Sequence, residues 1–119
     1  MIISKIVSFG LKFDRSAKNV VEKARKQASL CDAEKGTDKY TKTINNAIKI
    51  IEDYMPQNML SIKSEGNVEE RRPFDSRVDK NWKTFVGIIN KKQPIIRSSK
   101  PNEYSFIYDF ANAIKKGML

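Results

Sequence analysis

The sequence predicts an α+β fold: two N-terminal antiparallel helices packed on a small antiparallel sheet, with a hairpin at about 82–98, and a C-terminal helix. Three observations predict it. Two stretches between Asp14 and Met55 repeat apolar residues at helical spacing. A run rich in β-branched and aromatic residues, Trp82–Ile89, is followed by turn residues and a second short run. Asn102 and Gly117 bracket the last apolar segment as helix start and stop signals. A chain of 119 residues fits one domain spanning 1–119, with no internal repeat and no dividing linker.

Met1 to Phe13 reads as a short strand or extended arm, because Phe9, Leu11 and Phe13 alternate with Gly10 and Lys12. Asp14 or Ser16 can cap the first helix, and Gly36 can stop it. Ala17, Val20, Val21, Ala24, Ala28 and Cys31 form its narrow apolar stripe, opposite Arg15, Lys18, Glu22 and Arg25. The second helix runs from about Asp38 to Tyr54 on a broader face of Tyr40, Ile44, Ala47, Ile48 and Ile51. Pro56 ends it, because a proline pushes the residue before it away from helical geometry.

Met59–Lys63 reads as a strand closed by a turn at Ser64–Asn67. Val68–Lys80, with charges of both signs, reads as an exposed loop holding at most one helical turn at Glu69–Arg72. Trp82–Ile89 and Ile95–Ser98 form the hairpin about a turn at Asn90–Pro94; Pro94 suits an edge strand. In the last segment Tyr104, Phe106, Tyr108 and Phe110 alternate like a strand. The Asn102 cap, Lys115–Lys116 and Gly117 favour a helix.

Composition excludes more chemistry than it points to. The chain has no histidine and one cysteine, which removes histidine-dependent nucleophile couples and nearly every zinc site. No phosphate-cradling glycine motif is present, and neither a metal nor a cofactor is expected. Cys31 reads as a small core residue, since Asp32 and Glu34 oppose a thiolate. The carboxylate pairs Glu52–Asp53 and Glu69–Glu70 lack the Asp/Glu-x-Lys spacing of many metal nucleases.

The longest purely apolar runs are a few residues, too short for a membrane span, so a cytoplasmic location is expected.

The net charge is +9, with +4 from residues 1–55 and +5 from residues 56–119. Such a balance favours a polyanion partner, DNA or RNA, or an acidic protein surface. The strongest local signal is Lys80–Lys100, where Lys80, Lys83, Lys91, Lys92, Arg97 and Lys100 occur with no carboxylate. Arg71, Arg72 and Arg77 precede it and can make bidentate phosphate contacts. Trp82, Phe74 and Phe85 can stack on unpaired bases if exposed, though an aromatic in a strand is usually core, and Trp82 and Phe85 are expected there.

The expected function is therefore a non-enzymatic nucleic-acid-binding or accessory protein with a basic hairpin surface. An alternative is a small interaction module or inhibitor that docks on an acidic surface of a larger complex. In element order and charge the chain also resembles small RelE-type toxin ribonucleases, which implies RNA cleavage through lysine, arginine and tyrosine or a carboxylate. Two helices followed by a hairpin are similar to a winged-helix order without its third helix.

Overall fold

The computed structural model describes residues 12–54, 57–67 and 82–119. Elements follow in the order β1 (Lys12–Phe13), α1 (Arg15–Lys35), α2 (Lys39–Glu52), β2 (Met59–Asn67), β3 (Lys83–Ile89), β4 (Pro94–Lys100) and α3 (Glu103–Lys115). This is the expected α+β order, with the last segment helical. Helix ends follow local chemistry. Asp14 accepts the Ala17 N–H at the start of α1, and Gly36, at φ 63°, ends it in the left-handed conformation that glycine adopts freely. Asn102 accepts the Ser105 N–H at the start of α3.

The four strands lie in the order β1-β2-β3-β4. The β2–β3 and β3–β4 pairs are antiparallel, but β1 pairs with β2 in parallel, so the sheet is mixed rather than antiparallel as expected. A parallel neighbour requires a crossover, and α1 and α2 together supply it. The turn expected at Ser64–Asn67 is instead the end of β2. Pairing of Asn67 with Lys83 extends the strand through a register irregularity and overrides local turn preference.

All three helices lie on one face of the sheet. α1 packs on β2 and α3 on β4, while α2 packs on α1 and α3. The small side chains of α1 permit this close approach, and Ala17, Ala24 and Ala28 are fully buried. Phe85, Phe106 and Phe110 fill the space between sheet and α3; Phe85 and Phe106 have ring centroids 5.0 Å apart, and Phe106 meets Phe110 edge-on at 5.9 Å. Burial of each such ring contributes about 1.5–3 kcal/mol. Gly87 sits under Phe110 and beside Ile96, where there is no room for a side chain.

Two expectations about individual residues change, those for Trp82 and Cys31. Trp82 precedes β3, half-buried and outside the core cluster; Phe85 is the core aromatic. Cys31 is half-buried, and its neighbour Asp32 is the buried residue, 8% exposed. α1 turns Asp32 toward α2, whose first turn needs acceptors, and this explains the exchange. Of the expected N-terminal strand, only Lys12–Phe13 lies within the described residues. The turn at Glu69–Arg72 lies outside them.

Among the described residues, no helix is long and apolar enough to cross a membrane.

Candidate functional site

The β3–β4 turn departs from ordinary backbone geometry. Asn90 and Lys91 both adopt left-handed conformations, at φ 55° and 59°, and the Lys92 N–H donates to the Ile89 carbonyl at 3.1 Å. This is the pattern of a type I′ hairpin turn, in which the second central position favours glycine. A lysine there costs about 1–2 kcal/mol.

Asn90 holds the turn against β2. Its N–H donates to the Met59 carbonyl at 2.7 Å, its Oδ1 accepts the Met59 N–H at 2.8 Å, and its Nδ2 donates to Asn58 Oδ1 at 2.5 Å. Lys91 and Lys92 are therefore exposed on an anchored backbone. Neither has a carboxylate partner among the described residues. Beside them an open groove of about 860 Å³ has an apolar floor of Ile89, Pro94 and Ile95 and a polar rim that includes Lys92, Gln93 and Asn58.

The other cations of the acid-free run are placed differently. Strand alternation turns Lys83 and Lys100, a register pair, toward the helix face; Lys83 lies 3.9 Å from Glu103, and Lys100 lies 3.7 Å from Asp109. Arg97 belongs to the opposite face, where it pairs with Glu65 and its register partner Val86 is 2% exposed. Lys100 is eight residues along the hairpin from Lys92, on the order of 25 Å for an extended strand. The run is thus acid-free in sequence but not in space. Arg71, Arg72, Arg77 and Lys80 lie outside the described residues.

In place of those strand cations, the fold groups the tip with distant lysines. Lys12 pairs with Met59, which in turn bonds Asn90, so Lys12 stands two strand spacings, about 10 Å, from the turn. α3 runs back along β4, and Ile96 and Lys116 line the same shallow pocket. Lys115 and Lys116 thus return toward the end of the sheet that carries Lys91 and Lys92. In sequence Lys115–Lys116 has only the meaning of a helix-stop signal. Glu52 and Asp53 close α2 at this end too, so the surface is positive by majority.

The outer face of α1 is a second basic surface. Arg15, Lys18, Lys23, Arg25 and Lys26 are all exposed there, with Glu22 among them.

Two carboxylates are held ionised for structural ends. Burial opposes ionisation of Asp14, but hydrogen bonds from Ser16, Ser61 and the Ala17 N–H outweigh it and keep its carboxyl below the usual value. Ser16 also accepts the Ile62 N–H at 3.1 Å, which satisfies the β2 edge beyond the two residues of β1. Asp32 follows the same balance, with Thr41 and Tyr40 as donors. Neither acid faces the basic end as a free group. No cluster of three or more histidine, cysteine, aspartate or glutamate side chains suited to a metal occurs among the described residues.

Comparison with known proteins finds no matching family model, no matching curated protein and no matching solved structure.

Proposed function

We propose that this chain is a non-enzymatic nucleic-acid-binding protein that engages phosphates with the basic end of its sheet, Lys91 and Lys92 foremost. The observation that carries this reading is the anchored left-handed turn that presents both lysines without an acidic partner among the described residues. A strained backbone held by side-chain bonds is a common mark of a functional position. Strong net positive charge adds long-range attraction for a polyanion, and Lys12, Lys115 and Lys116 extend the contact. Lys83, Arg97 and Lys100 are secondary, because each already neighbours a carboxylate.

The test is binding to labelled single-stranded and duplex nucleic acid across a salt series. Affinity should fall steeply as salt rises, since each phosphate neutralised releases counterions. Lys91→Glu with Lys92→Glu should weaken binding without lowering the melting temperature. No binding at low salt overturns the proposal. In that case the apolar-floored groove beside Lys92 favours the alternative, an acidic protein partner that places a side chain there.

A further inference from the structure

Away from the basic end, three tyrosines form a row across the outer faces of α2 and α3. Tyr40 and Tyr104 have ring centroids 6.0 Å apart at 57°, and Tyr104 and Tyr108 lie 6.5 Å apart and nearly parallel, at 4°. Core packing does not require the far end of this row, for Tyr108 is 45% exposed. The inner two rings are fixed. Lys35 Nζ donates to the Tyr40 hydroxyl at 2.8 Å and sits 5.2 Å from its ring centre. Tyr104 is bonded to Thr43 through its side chain. The Tyr108 hydroxyl has no such bond among the described residues.

We propose that Tyr108, backed by Tyr104, is a stacking platform for an unpaired nucleobase, which makes single-stranded nucleic acid the substrate class. This rests on the nucleic-acid reading above and deepens it.

The arrangement supplies both things a single strand needs. An exposed aromatic face accepts any base, because every base has a π-face. A cation must then meet the backbone near that base. Lys115 lies seven residues beyond Tyr108, two turns along the same side of α3 and about 10 Å away. It is exposed and has no carboxylate partner among the described residues. From Lys115 the path continues toward the sheet end with Lys91 and Lys92. Duplex DNA keeps its bases stacked on one another and offers Tyr108 nothing. Because the inner rings are already held, docking a base orders only one further side chain.

The experiment compares three labelled probes of about 12 nucleotides, within the site sizes of single-strand binders: an oligothymidine, an abasic sugar–phosphate strand of the same charge, and a duplex. The wild-type protein should bind oligothymidine roughly 5- to 100-fold tighter than the abasic strand. Tyr108→Ala should erase that preference, and Tyr108→Phe should retain it. Lys91→Glu should weaken binding of oligothymidine and the abasic strand by a similar factor. Equal affinity of the wild type for the two single strands, or an unchanged preference in Tyr108→Ala, overturns the platform while leaving phosphate binding intact. Failure to bind any probe overturns both readings.

Discussion

The carboxylate of Asp32, in the last turns of α1, accepts the backbone N–H of Thr41 at 2.8 Å and so caps a helix to which it does not belong. Its other oxygen accepts the Tyr40 N–H at 2.9 Å. Asp38, the residue at the formal cap position, makes no side-chain capping bond, so Asp32 takes two N–H groups of the first turn while Thr37 Oγ1 accepts the third, from Lys39, at 3.3 Å. Asp32→Ala should therefore lower the melting temperature at neutral pH by about 5 °C, as expected for a lost cap in a domain of this size.

The same pair sets an acid dependence. Hydrogen bonds hold the folded Asp32 carboxyl below its ordinary value of 3.8, despite the opposing effect of burial. The unfolded chain thus takes up the proton first as pH falls. The stabilisation is complete above the ordinary value and is lost as pH drops through the lower, folded value. Thermal melts of wild type and Asp32→Asn should differ at pH 7 and converge as pH falls progressively below 3.8. A constant gap across that range would contradict the assignment.

Gly87→Ala should destabilise the fold by about 1–3 kcal/mol, the usual cost of overpacking. An added Cβ would stand 2.8 Å from Ile96 Cγ2 and 3.1 Å from Phe110 Cε2, both in the contact between sheet and α3. The loss should appear as a lower denaturant midpoint. Shortening Phe110 to leucine in the same chain should recover part of it.

At the tip, Lys91→Gly separates stability from binding. Glycine adopts the φ of 59° without steric cost, so the variant should be more stable by roughly 0.5–1 kcal/mol after allowance for its looser unfolded chain. Its affinity for nucleic acid should nonetheless fall. A variant that is both more stable and fully active would remove Lys91 from the contact surface.

Charge reversal reads out the number of contacts. In a plot of log affinity against log salt, the slope should lose about 0.7 per phosphate contact removed on a single strand and about 0.9 on duplex. Lys91→Glu with Lys92→Glu should therefore flatten the slope by on the order of 1–2. Arg97→Glu should change it less, since Arg97 faces the opposite side of the sheet and already pairs with Glu65.

Much of the fold was legible because its signals are local. Asp14, Gly36 and Asn102 act on backbone groups within a few residues, and the apolar spacing of α1 and α2 lies on one side of each helix. Pro94 and the residues around Asn90 marked the hairpin turn for the same reason. The strand extension through Asn67 was not legible, because pairing with Lys83, remote in sequence, overrides the turn preference of Gly66 and Asn67. Nor was the role of Asp32, because the two N–H groups it accepts come from α2 only once that helix folds back on α1.

The candidate site divides in the same way. The sequence alone determined the charge balance, the exclusion of histidine chemistry and the prominence of Lys91 and Lys92, all properties of composition or of one turn. Only the tertiary structure decided which cations lie near one another. The crossover through α1 and α2 brings Lys12 beside the turn, and the return of α3 brings Lys115 and Lys116. Period-two alternation sends Lys83 and Arg97 to opposite faces, where Glu103 and Glu65 meet them. Local backbone preference acts over a few residues, whereas electrostatic pairing acts through space, and only the folded chain sets those distances.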